Sequence, residues 1–99
     1  MASTHDYEID SRNDNIQIYI DGQFFPRTDA KVSVMDSGYL LGDGVWEGIR
    51  LYNNHLIHLE KHLERLYDGA ETIQMDIGIS KSEMKSALEK TLKKNEMIS

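Results

Sequence analysis

The chain has no cysteine among its 99 residues. That excludes a disulfide scaffold and every thiolate-ligated metal site, because no thiol exists to build them. Proline occurs once, at Pro26, and tryptophan once, at Trp46. Long apolar runs are missing as well. Stretches such as Tyr39 to Leu41 are short, far below the ~18–20 residues that a membrane-spanning helix needs. The first residues, MASTHDYEIDSRNDN, hold no apolar stretch of the kind a signal peptide uses. The expectation is therefore a cytoplasmic protein with no membrane partner. Positive charge is scarce too. Lys plus Arg is 11 against 17 for Asp plus Glu, a formal net charge of -6, the wrong sign for a broad nucleic-acid footprint. The length allows one domain, burying only ~60–65% of its unfolded surface, and is too short for a complete two-domain enzyme.

What is present falls into two regimes. Residues 1–15 are polar, with Asp6, Glu8, Asp10 and Asp14 against Arg12 alone, and read as a mobile lead-in. From residue 16 onward the pattern is that of a folded domain. Ile16, Ile18 and Ile20 alternate with Gln17 and Tyr19, a strand period. Asp21-Gly22 then separates this run from Gln23-Phe24-Phe25, a strong hairpin signal, and Pro26 ends the second strand. Val32 and Val34 predict another short strand, and DSGYLLGDG over 36–44 predicts a loop. Across 45–52 the alternation returns, with Val45, Glu47, Ile49 and Leu51 on one face and Trp46, Gly48, Arg50 and Tyr52 on the other. Asn53-Asn54 marks a turn, and Leu56 and Ile57 a short partner strand.

The period then lengthens. Leu59, Leu63, Leu66, Ala70 and Ile73 form one face of an amphipathic helix. Ser80 and Glu83 match a capping box at the start of a second helix bearing Met84, Ala87, Leu88, Thr91 and Leu92. Lys90, Lys93 and Lys94 suit the negative end of its dipole. Strands first and helices second predict an α+β fold, an antiparallel β-sheet with two helices packed on it.

Few residues invite chemistry. Of the four histidines, His5, His55, His58 and His62, the last two lie at i, i+4. Without a third ligand this spacing reads as solvent-facing imidazoles at a strand-to-helix junction, and no metal site is assigned. Gly38, Gly42 and Gly44 precede a strand instead of a helix, which rejects a dinucleotide-binding fingerprint. His62, Arg65 and Gly69 flank the leucine stripe. Glycine inside a helix costs about 1 kcal/mol against alanine, which argues that something approaches closely there. Arg65 alone reads in two ways: a surface ion pair with Glu60, Glu64 or Asp68, or a planar donor for a phosphate ester. Lys61, four residues earlier on the helix, reads as solvent-facing. The face carrying Trp46, Arg50 and Tyr52 reads as one that a further surface covers.

Taken together, GDGVWEGIRLYNN at 42–54 and HLEKHLERLYDGAETI at 58–73 resemble the N-terminal small domain of fold-type IV pyridoxal-phosphate enzymes. That family comprises branched-chain aminotransferases, D-amino-acid aminotransferases and aminodeoxychorismate lyases. The upstream IYIDGQFFPRTDAKVSVMDSGYLLGDG fits the family's first hairpin and loop. The resemblance extends from about Ile16 to Leu92 and implies that 16–99 is that small domain, without the larger C-terminal one. It implies that Arg65 binds the 5′-phosphate of pyridoxal 5′-phosphate. It places Trp46, Leu41 and Gly48 at the substrate side, with Leu41 where branched-chain members often carry a tyrosine. EGIR is more like the branched-chain branch and GDG more like the D-amino-acid branch.

In this family a lysine of the larger domain forms the Schiff base with the cofactor. None of Lys31, Lys61, Lys81, Lys85, Lys90, Lys93 and Lys94 sits in a comparable segment, so no catalytic residue is assigned within this chain. The implied parent is an aminotransferase moving an amino group between an amino acid, branched-chain or related, and a 2-oxo acid, in a homodimer or larger homo-oligomer. The 99 residues alone are expected to be inactive. The alternatives are an aminodeoxychorismate lyase-like enzyme and a non-catalytic binding module that keeps the fold.

Overall fold

A computed structural model of the protein describes residues 10–99. The part of the lead-in over 1–9, including His5, lies outside the described residues. Asp10 caps a single 3-10 turn at Ser11–Asn13, its carboxylate accepting from the Arg12 backbone N–H. The chain divides into two compact units, one ending at Ala30 and the other Lys31–Ser99. The class is α+β with antiparallel strands, as the order of periodicities predicts. Among the described residues the strands form two antiparallel pairs, one in each unit.

The first unit is a hairpin of β1 (Gln17–Ile20) and β2 (Gln23–Pro26). Its two turn residues, Asp21 and Gly22, both have positive φ, at 49° and 85°. That is the primed geometry matching the twist of the flanking strands, and glycine enters it without a Cβ penalty. The turn sets the register, placing Ile18 opposite Phe25 and Tyr19 opposite Phe24. The Tyr19 and Phe24 rings meet edge to face at 5.3 Å, a stabilising cross-strand aromatic pair. Pro26 sits at the end of the ladder, where its missing N–H matters least.

In the second unit the strand read around Val32 and Val34 does not form. Both side chains are exposed and residues 31–34 carry no strand. Alternation alone does not make a strand where no neighbouring chain offers hydrogen bonds. The expected loop over 36–44 contains a short helix, α1 (Ser37–Leu41). Asp36 caps it by accepting from the Gly38 N–H at 2.7 Å, and Gly42, at φ 74°, closes it. The segment 45–52 keeps the alternation in burial, odd positions half-buried and even positions exposed. Only its last two residues pair, as β3 (Leu51–Tyr52) with β4 (His55–Leu56). Asn53 and Asn54, at φ 50° and 65°, make the turn. The last residues of the unit return to that turn: Asn54 N–H donates to the Ile98 carbonyl at 2.8 Å and Asn53 N–H to Ser99 Oγ at 3.0 Å.

Helix α2 (Leu59–Thr72) buries Leu63 and Ala70, two turns apart on the expected stripe. Ile73, just past its end, is exposed. Helix α3 (Lys81–Lys94) buries Ala87, with Met84, Leu88, Thr91 and Leu92 half-buried beside it. Both bonds of the Ser80–Glu83 capping box are present, a motif whose hydroxyl contributes about 1 kcal/mol. Polar contacts of α2 reach α3 and the residues just before it. Tyr67 donates to the Ile79 carbonyl at 2.6 Å, and the Lys81 ammonium lies 5.8 Å from the Tyr67 ring. Lys85 approaches Glu60 at 3.9 Å. No helix among the described residues is long and apolar enough to cross a membrane.

Candidate functional site

The odd-numbered face of 45–52 turns toward α2. Val45 lies where a Cβ added at Gly69 would come within 3.4 Å of its Cγ1. The close approach expected at Gly69 is thus made by a neighbouring side chain. Because 3.4 Å is an ordinary contact, Gly69→Ala should gain helix propensity with little crowding. The expected result is a rise in stability of about 0.5 kcal/mol, read from the urea midpoint at unchanged slope. A fall would show that Val45 cannot yield.

Two residues further, Glu47 points at the same helix. It is only 10% exposed, yet it is charged. A carboxylate so placed is costly unless its oxygens are engaged, and both are. Arg65 Nε donates to Oε1 at 2.8 Å and Nη2 to Oε2 at 2.9 Å, a two-pronged fork. His62, one turn earlier on α2, places Nδ1 3.0 Å from Oε1. An ionised carboxylate only accepts, so His62 carries a proton on Nδ1 in this contact. The Arg65 hydrogen bonds first, then His62, hold the Glu47 carboxyl below the usual carboxylate range against its partial burial. Glu47 in turn holds Arg65 above its ordinary value.

Of the two readings open for Arg65, the ion pair is real but its partner is Glu47, not Glu60, Glu64 or Asp68. His62 is likewise drawn into this cluster instead of facing solvent. His58 does stand exposed at the start of α2, with left-handed backbone at φ 54°. Beyond the fork, His58, Lys61, His62 and Arg65 line an open depression of about 260 Å³. Among the described residues no carboxylate lines it, and Lys61, read as merely solvent-facing, borders it. No group of three or more His, Asp or Glu able to hold a metal occurs among the described residues.

The remaining expected site residues lie elsewhere. Trp46, 84% exposed, and Gly48 share the outer face of the segment, where a Cβ at 48 would touch Trp46 Cζ3 at 3.6 Å. Arg50 is on that face too, stacked over the Tyr52 ring at 5.3 Å. Leu41 ends α1 and is 74% exposed. Arg65 thus meets the segment from its inner side, and Trp46 and Gly48 open on the other. Sequence reasoning missed Glu47. The available signal was a lone acid on the face shared by Val45, Ile49 and Leu51: a charge at an inward position demands a partner.

Comparison with known proteins gives the family. Residues 44–98 match the family model for amino-transferase class IV. The chain is 45% identical over 82 residues to a Methanocaldococcus jannaschii protein provisionally named a branched-chain-amino-acid aminotransferase. It is 40% identical over 85 residues to branched-chain-amino-acid aminotransferase-like protein 1 of Arabidopsis thaliana, and 38% over 79 to D-alanine aminotransferase of Staphylococcus haemolyticus. These matches cover 83%, 86% and 80% of this chain but 28%, 15% and 28% of the relatives. A family model matched over more than half the chain, together with relatives aligned across most of it, makes this protein a member of the amino-transferase class IV family.

Proposed function

We propose that this chain is the small N-terminal domain of a pyridoxal 5′-phosphate-dependent aminotransferase. The parent moves an amino group between an amino acid, branched-chain or related, and a 2-oxo acid. The observation that carries this reading is the Arg65 guanidinium, held by Glu47 at the edge of a depression lined by cationic and imidazole side chains. Those residues fit a phosphate ester: three Arg65 N–H groups remain beyond the two in the fork, and Lys61 adds a point charge nearby. Arg65 would hold the phosphate, with Lys61 and His58 at the rim. When bound, the cofactor supplies the electron sink that lets an amino group leave one carbon skeleton for another.

Exposed apolar side chains support a site completed by a larger domain and a neighbouring protomer. Val32, Val34, Met35, Tyr39, Leu40, Leu41, Trp46 and Tyr52 are all exposed, more large apolar surface than a small soluble unit ordinarily leaves to water. Trp46, Gly48 and Leu41 would border the substrate there, and the Schiff-base lysine would come from the larger domain. The relatives' names span branched-chain and D-alanine substrates, so the amino donor is proposed only as a class. The proposed location is the cytoplasm.

The test is an assay of the intact protein with pyridoxal 5′-phosphate, amino acids and 2-oxo acids. Amino transfer with ping-pong kinetics is expected, and none from the 99 residues alone. Pyruvate release from an aminated chorismate, without amino transfer, would replace this reading with the lyase. Absence of both would favour a non-catalytic module.

A further inference from the structure

We infer that Glu47 is the positioning residue of the phosphate site: by taking one edge of the Arg65 guanidinium it aims the other at the phosphate ester, an inference that rests on the cofactor reading above. Guanidinium has two edges that can each make paired hydrogen bonds. Glu47 occupies the side edge, Nε–H and one Nη2–H, at 2.8 and 2.9 Å. The end edge, one Nη1–H and the second Nη2–H, is left for two phosphate oxygens. Carboxylate and phosphate therefore do not compete for the same donors.

Fixing matters because Arg65 is otherwise loose. Its side chain is 72% exposed, and Glu47 is the partner that restrains it. A long exposed arginine samples many rotamers, and a ligand that must freeze it loses affinity. Glu47 is itself well held. It is 10% exposed, flanked by half-buried Val45 and Ile49, and tied to His62 through Nδ1 at 3.0 Å. The fixed acid sets the guanidinium plane before any ligand arrives. It does so from the inner side of 45–52, away from the face of Trp46 and Gly48, so its own negative charge sits behind the arginine.

The experiment measures, in the intact protein, the affinity for pyridoxal 5′-phosphate divided by that for pyridoxal, which lacks the phosphate. Glu47→Gln, Arg65→Ala and the double variant are compared with the unmodified protein. Glu47→Gln is expected to lower the ratio about tenfold, and the double variant to match Arg65→Ala alone, because Glu47 acts only through Arg65. Losses that simply multiply would assign Glu47 a general structural role and overturn the inference. An unchanged ratio in Glu47→Gln, with Arg65→Ala still lowering it, would also overturn it while leaving the cofactor reading intact. An unchanged ratio in Arg65→Ala would remove both. Should Glu47→Gln not fold, the Arg65 Nε–H nitrogen resonance of the unmodified protein decides. It is expected to stay hydrogen-bonded with and without pyridoxal 5′-phosphate. Release of that N–H on loading would show the phosphate taking the Glu47 edge, against the inference.

Discussion

Replacing Arg65 with alanine is expected to weaken binding of pyridoxal 5′-phosphate by the intact protein about a hundredfold, while binding of pyridoxal changes less than about twofold. The size follows from losing a pair of charge-assisted hydrogen bonds to a dianion at once. Equilibrium dialysis of the two vitamers measures it, and using their ratio cancels any general loosening of the domain. Loosening must be controlled for, because the substitution also strips Glu47 of its main partner. In the unmodified protein Glu47 is held below its ordinary value of 4.5 chiefly by Arg65 and secondarily by His62. Its stabilising contribution is thus present above 4.5 and lost as the pH falls through the lower folded value. With Arg65 gone the carboxyl moves back up toward its ordinary range. At neutral pH the acid stays ionised and keeps only His62, so the ratio reports the phosphate contact. Equal losses for both vitamers, or none, would remove Arg65 from the phosphate site.

The family was legible because chemistry that depends on a few side chains leaves a dense local pattern. HLERL places Arg65 on a helix whose leucine period is unambiguous, and α2 and the α3 capping box form where that period and Ser80–Glu83 put them. Both tight turns, at Asp21-Gly22 and Asn53-Asn54, were equally readable, since left-handed backbone restricts the residues allowed there. What the sequence could not carry was pairing. Alternation across 45–52 correctly told the inner face from the outer, yet only Leu51–Tyr52 found a strand partner, and Val32 and Val34 found none. Hydrogen-bond partners are a property of what lies alongside, which a period of two does not encode. The Arg65 partner was missed for the same reason. Nearby acids on the same helix were the natural candidates, whereas Glu47 lies 18 positions away. The alternation had already placed it on the inner face, and only the folded chain joins that fact to Arg65.

Leu63→Ala carries the largest expected loss of stability, about 2–5 kcal/mol. Leu63 is 2% exposed and the largest side chain fully enclosed among the described residues. The other buried apolar residues there, Ala70 and Ala87, are small, so Leu63 supplies most of the volume that is fully enclosed. Against a total stability on the order of 5–10 kcal/mol for a chain of this length, such a loss leaves little margin. Urea unfolding followed by far-ultraviolet circular dichroism measures it, with Leu40→Ala as the control. Leu40 is 54% exposed, and its truncation should shift stability by less than about 0.5 kcal/mol. A Leu63→Ala loss no greater than the control's would mean that α2 is not the keystone of this unit. The contrast with Arg65 is the sharper point. Leu63 and Arg65 are two residues apart on α2, one sealed inside and the other 72% exposed. Arg65→Ala should therefore leave a folded chain that no longer discriminates phosphate, and Leu63→Ala a chain that loses the fold first and the site with it.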